Sequence, residues 1–368
     1  MTFMHAPNID QNRLCETALV AEESGRLEAA AKLYRQGIAC DDNNPTPYLF
    51  LGFVLDKLDQ HAAALQAWSL GADIDPRMIN AWRGQNTGED VRLRSKSAND
   101  SIRRHFTDLH QTSMAEYQQQ HPGARVDRIA AAIWCQTHDS EFNYNDPRHK
   151  PHVFFVPDLE PIAVYEPQHM PWQGVLEAAA DDIKEEFLAA REQAADEEKP
   201  YLKPRAAGLG EDWQPIADSL NWGSFHLYKQ GVANERLLKL FPETLEALRS
   251  VPVLTTASGP REVLFSVLQG GQRIPPHFGV SNTDITVHMP IVTTEKSAIR
   301  VADDTYEWQY GHVFGFDDAF DHESWNDSDE PRVNLLFEAW HPGLTDDEKG
   351  AVAASFDARE SWNHSRRI

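Results

Sequence analysis

Cysteine is scarce in this chain. There are three in 368 residues, at Cys15, Cys40 and Cys135, with no C-x-x-C spacing. That excludes a disulfide framework and a cysteine-based zinc site. Long apolar runs are also missing. No stretch of 18 apolar residues occurs, and the start, MTFMHAPNIDQNRL, lacks a basic segment followed by an apolar one. No signal peptide and no membrane span are expected, so the chain reads as a cytoplasmic protein. Positive charge is in short supply: 34 Lys and Arg stand against 57 Asp and Glu, a net charge of −23. Such a surface repels a phosphate backbone, and nucleic acid is not an expected partner. Hydrophobic residues make up 41%, enough for a core, and the length suits about two domains.

Residues 10 to 80 repeat themselves. Gly25 matches Asp59, Ala30 matches Ala64, Tyr34 matches Trp68, Gly37 matches Gly71 and Asp41 matches Asp75, always at an offset of 34. Small residues recur where helices must approach closely, and one aromatic per unit fills the space between them. Pro45 and Pro76 follow the second helix of each unit. The pattern resembles tetratricopeptide (TPR) repeats, whose period is about 34 residues. Two units over residues 1–95 are too few for a long superhelix. They serve either to dock a protein partner or to cap the domain that follows.

Residues 96–150 read as bridging helices, with Ile102, Phe106, Leu109 and Met114 near one stripe. Residues 172 to 196 read as an amphipathic helix with Val175, Leu176, Ala179, Ile183 and Phe187 on one face. From about residue 221 the period changes. EVLFSVLQ, DITVHMPI, GHVFGFD and RVNLLFEAW are short, aromatic and β-branched, and are separated by turn signals. The expectation is an α+β protein: helical repeats, then an all-β barrel or jelly roll over residues 151–345, covered by helices, with residues 346–368 as a tail.

Alternation within the strands shows where chemistry could lie. Asp284, Thr286 and His288 share one face of their strand, and Ile285, Val287, Met289 and Ile291 the other. Arg332 and Asn334 oppose Val333, Leu335 and Phe337. An interior lined with His, Arg, Thr and Asn suits a ligand cavity rather than a packed core. His277 in IPPHFG and His322 in DDAFDHESW are each expected to end a strand, and two imidazoles at a barrel mouth are a candidate metal pair. The usual facial triad adds a carboxylate, but Gly279 holds that position. Arg332 needs an anion. That anion is either a buried partner, Asp317, Asp318 or Glu338, or the carboxylate of a ligand.

Together, NWGSFHLYKQG, FSVLQGGQRIPPHFGVSNTDITVHMPI, YEWQYGHVFGFDDAFDHESWND and RVNLLFEAWHP resemble the aspartyl/asparaginyl β-hydroxylase family from about residue 150 to 344. That resemblance implies a double-stranded β-helix (a cupin-type jelly roll) and an oxygenase using Fe(II), 2-oxoglutarate and O2. It implies iron held by His277 and His322, with glycine at the carboxylate position. It implies that Arg332 pairs with the distal carboxylate of 2-oxoglutarate, that Ser266 adds a hydrogen bond, that His288 faces the chelating end, and that Trp222 lines the same pocket. The product expected is a hydroxylated C–H, with succinate and carbon dioxide released. One departure stands out. Members acting on protein aspartyl or asparaginyl residues carry arginine two positions before the histidine matching His288, where this chain has Thr286. Arg300 is a candidate substrate contact, and either Arg300 or Arg273 could reach the spot left neutral by Thr286. The competing readings are a non-catalytic module in which the repeats recruit a partner, and a cupin-type metalloenzyme without 2-oxoglutarate.

Overall fold

The computed structural model describes residues 9–135, 142–144, 146–202 and 210–368. The described residues form two compact units, one within 9–109 and 359–368, the other within 110–135, 142–144, 146–202 and 210–358. Each is described by itself.

The first unit opens with four helices, α1 (Ile9–Glu23), α2 (Leu27–Cys40), α3 (Thr46–Lys57) and α4 (His61–Ile74). The repeat seen in the sequence is repeated in the geometry. Gly25 and Asp59 both take left-handed backbone, with φ of 72° and 58°, in the turns between paired helices. The aromatics Tyr34 and Trp68 are both buried, as are Ala30 and Ala64. The N–H groups of Asp41 and Asp75 donate to the carbonyls of Gly37 and Gly71, closing α2 and α4 alike.

A long helix, α5 (Glu89–Gln120), follows. The helical stretch expected over residues 96–150 therefore ends sooner. Pro122 disfavours helical backbone at His121, and Gly123 turns left-handed with φ of 100°. Beyond it lie a four-residue helix, Asp127–Ala130, and a two-residue strand, Ile133–Trp134, paired with Phe154–Phe155. Residues 136–141 and 145 of that expectation fall outside the described residues. The helix expected over 172–196 is two helices, α6 (Gln173–Ala178) and α7 (Ala180–Gln193). Leu176, Ile183 and Phe187 are buried, but Val175 is 54% exposed. One residue from Leu176 it is turned about 100° around the helix, off the stripe it was assigned to. Two further helices are α8 (Pro242–Leu248) and α9 (Asp346–Ser365), the latter occupying most of the expected tail.

The second unit contains nine main strands: β1 (Trp222–Lys229), β2 (Glu262–Leu268), β3 (Gln272–His277), β4 (Asp284–Val292), β5 (Ser297–Val301), β6 (Asp304–Glu307), β7 (Phe314–Phe316), β8 (His322–Asn326) and β9 (Arg332–Trp340). They form antiparallel sheets. In the larger the order is Val164–Tyr165, β7, β4, β9, β2, β1, Lys199–Pro200, and in the smaller β3, β8, β5, β6. The large sheet sorts its side chains by the two-residue period. Val287, Met289, Val333, Leu335, Phe337, Val263 and Phe265 pack with Ile183 and Phe187 of α7 and Ala247 and Leu248 of α8 in one core. Each such buried aliphatic or aromatic side chain contributes about 1.5–3 kcal/mol. Helices cover that face, which leaves the polar face of the same strands to wall a cavity.

Candidate active site

Three neighbouring strands lay their polar positions side by side. Asn334 on β9 registers with Ser266 on β2 and Pro290 on β4, Leu336 with Leu264 and His288, and Glu338 with Thr286. Arg332 is at one end of this face and Glu338 at the other, six residues along the strand, roughly 20 Å. The cavity they wall holds about 110 Å³ and is also lined by Tyr201, Trp222, Glu262, His277, Asp318 and His322.

His277 and His322 are brought together by the small sheet. They are register partners on β3 and β8, with ring centroids 4.0 Å apart. His277 ends its strand as expected. His322 begins β8 rather than ending a strand, because pairing with β3 and β5 runs onward from it to Asn326. Both rings are tethered in the same way: Nδ1 of His277 lies 2.8 Å from the Pro275 carbonyl, and Nδ1 of His322 lies 2.9 Å from the Phe320 carbonyl. A carbonyl only accepts, so each Nδ1 carries the proton and each Nε2 keeps a lone pair. Burial pulls both imidazoles below their usual range, His322 further still because His277 is beside it. Two neutral imidazoles with bare Nε2 atoms fit a divalent metal.

Gly279 cannot supply a third donor. A Cβ there would meet Asp318 Oδ1 at 1.8 Å, and the Gly279 N–H donates to the Asp318 carbonyl at 2.5 Å. Among the described residues no group of three or more His, Cys, Asp or Glu is placed to hold a metal.

Arg332 is 1% exposed, yet makes no ion pair with Asp317, Asp318 or Glu338. Asp317 is taken by His149 at 2.7 Å, and Glu338 faces Arg261 at 3.5 Å. The guanidinium donates to Ser324 Oγ at 3.3 Å, lies over the Trp308 ring, and leaves its buried Nε without a partner. Burial lowers it to about 9. With the Asn334 amide turned to suit its neighbours, its oxygen accepts from Arg332 Nη1 at 3.0 Å and from His288 Nδ1 at 2.9 Å. His288 is stacked on Trp308, and burial with the nearby Arg332 charge brings it down to about 3. Trp222 donates from Nε1 to Ser266 Oγ at 3.1 Å and is stacked by Tyr201 at 4.1 Å. Arg332, Ser266, His288 and Trp222 therefore meet in one cavity.

Arg300 and Arg273 are elsewhere. Arg300 is held by Asp321 and Glu323, each at 2.8 Å, and Arg273 by Glu323 and Asp327. Neither lines the cavity. Sequence reasoning missed Trp308, Ser324, Tyr201 and Glu262. Ser324 had a signal, being two residues from His322 on the same strand face. Tyr201 had none.

It also missed a strap. Residues 148–154 brace the loops that carry both histidines. Lys150 N donates to the Ala319 carbonyl and Asp321 N to the Arg148 carbonyl, while His152 N and Val153 N donate to Gly279 and Val280. The His149–Asp317 contact is the buried polar centre of this strap, and the other Asp317 oxygen accepts from Ala319 N. His149→Ala is expected to cost about 1.5–3 kcal/mol, the range for hydrogen bonds to a charged group. Denaturant unfolding of the variant against wild type checks this; an unchanged midpoint would show the contact to be idle.

Residues 177–342 match the family model described as Aspartyl/Asparaginyl beta-hydroxylase. Among its relatives is the ornithine lipid ester-linked acyl 2-hydroxylase of Rhizobium tropici, 32% identical over 49% of this chain and 60% of that one. The human aspartyl/asparaginyl beta-hydroxylase is 31% identical over 41% of this chain and 20% of its own length. A rat aspartate beta-hydroxylase domain-containing protein 2 is 29% identical over 55% and 58%. The chain thus spans 60% or less of each of these relatives. Among the described residues no helix is long and apolar enough to cross a membrane.

Proposed function

We propose that this protein is an Fe(II)- and 2-oxoglutarate-dependent oxygenase that hydroxylates an unactivated C–H bond. On this reading α1–α4 are two TPR-like units, and residues 151–345 are a double-stranded β-helix domain. The supporting observation is the buried Arg332 guanidinium, without an ion pair among the described residues, in one cavity with two imidazoles tethered through Nδ1.

His277 and His322 would hold iron through Nε2. Bound iron supplies oxygen activation and the oxidative decarboxylation of the 2-oxo acid. Arg332 would grip the distal carboxylate in a charge-assisted contact, with Ser266 beside it. Ser324 and Asn334 fix the guanidinium so that little freedom is lost on binding. His288, neutral at pH 7, would face the chelating end. Trp308, Trp222 and Tyr201 keep water from the buried charges.

The substrate is proposed to differ from a protein-borne aspartyl or asparaginyl residue. Thr286 removes the cationic contact, and both Arg300 and Arg273 are already ion-paired away from the cavity. The Rhizobium relative, named for an acyl chain, is a precedent for another class. The deciding experiment incubates the purified chain with Fe(II), 2-oxoglutarate and oxygen. Succinate should form, and should stop when either iron or 2-oxoglutarate is left out. Absence of succinate from folded, metal-loaded protein would refute the oxygenase reading. Oxygen addition to a peptide aspartate, abolished by His277→Ala, would refute the substrate reading.

A further inference from the structure

The end of the cavity away from Arg332 is walled by carboxyl groups with few cationic partners. Glu262, Asp318 and Glu338 line it. Val263 registers with Phe337, which puts Glu262 in the same cross-strand row as Glu338, and Glu338 registers with Thr286. Asp284, 1% exposed, adds a fourth carboxyl beside them. Against these stand few cations. Arg261 reaches Glu338 at 3.5 Å but does not line the cavity, and Lys229 is exposed. His226 lies 3.5 Å from Glu262 but is neutral, since burial brings its imidazole down to about 3. Glu338 is 9% exposed; its Oε2 lies 3.5 Å from Arg261 Nε but accepts no hydrogen bond, and neither does Asp318 Oδ1.

Buried carboxylate oxygens without donors are costly, and native proteins rarely leave them so. A ligand that brought N–H donors and positive charge would supply both missing terms. An anionic ligand would add to the repulsion. Burial and mutual repulsion already hold the Glu262 carboxyl up at about 7. We propose that this acidic row is a subsite for a cationic group of the substrate, a primary ammonium or a guanidinium, with Glu338 and Glu262 as its acceptors. It rests on the oxygenase reading, which assigns the Arg332 end to 2-oxoglutarate and leaves this end for substrate. Thr286 is then the neutral residue that keeps the row open, since an arginine there would occupy it.

The test uses the full chain loaded with Mn(II) and 2-oxoglutarate, so that no turnover occurs, and calorimetric titration. The probes are Nα-acetyl-lysinamide and Nα-acetyl-argininamide, the neutral Nα-acetyl-norleucinamide and the anionic Nα-acetyl-aspartic acid amide. The cationic probes should bind at least about tenfold tighter than the neutral one, and the anionic probe weakest. E338Q and E262Q, which keep shape, should each remove about tenfold of that preference and leave 2-oxoglutarate affinity unchanged. T286R should abolish binding of the cationic probes. Equal binding of lysine and norleucine amides, tighter binding of the aspartate amide, no binding of either cation, or an undiminished preference in both glutamine variants would overturn the subsite. Failure of 2-oxoglutarate to bind is read in a separate titration and would count against the oxygenase reading instead.

Discussion

Arg332→Ala should weaken 2-oxoglutarate binding by about 2–5 kcal/mol, thirtyfold to a few thousandfold, and leave metal affinity nearly intact. The guanidinium is almost wholly buried, so solvent screening takes little from the contact. It is held by Ser324 and Asn334, so it need not be ordered when the ligand arrives. Part of the loss is the cost of stranding the ligand's carboxylate in a dry pocket. Arg332→Lys should recover only a fraction, since an ammonium cannot make the two parallel bonds of a guanidinium. Titration of 2-oxoglutarate into wild type and both variants, with Mn(II) present, decides it. Affinity unchanged in the alanine variant would remove Arg332 from the site.

The second large effect concerns the metal. His277→Ala or His322→Ala should each reduce Fe(II) or Mn(II) affinity by more than the roughly 10–100-fold that loss of an outer-shell partner costs. With Gly279 unable to offer a side chain, one remaining imidazole is a poor chelate. Asp318→Ala separates a ligand from a neighbour. It should leave most of the affinity, because Asp318 fills the space beside Gly279 and forms no metal-binding group of three with the histidines. Anaerobic titration of the three variants is the measurement. Metal binding kept by both histidine variants, or lost as completely in Asp318→Ala, would overturn the two-histidine site. Thermal unfolding of the metal-free variants shows whether any loss is only misfolding.

Much of this was already written along the chain. The offset of 34 between Tyr34 and Trp68 reports two equivalent helix pairs, because equivalent packing needs the same residue at the same turn. The alternation in β4 and β9 divides core from cavity, because a strand turns successive side chains to opposite sides. Resemblance to a family pointed to His277, His322, Arg332, Ser266, His288 and Trp222 before their positions were known. Periodicity, however, says which face a residue takes and not which strand lies next to it. The pairing of β3 with β8, which makes His277 and His322 neighbours, is a property of the antiparallel sheet. So is the row that sets Glu262, Glu338 and Thr286 together. The His149–Asp317 contact joins residues 168 positions apart and has no local signature at all. Burial is likewise a property of the folded chain, and burial is what strips Arg332 and Glu338 of water and leaves Arg332 Nε and Glu338 Oε2 without a hydrogen bond. Sequence alone determined the helical repeat and the two faces of the main strands; the tertiary structure decided where the helices end and which buried polar atoms lack a hydrogen bond, because only packing removes the solvent that would otherwise satisfy them.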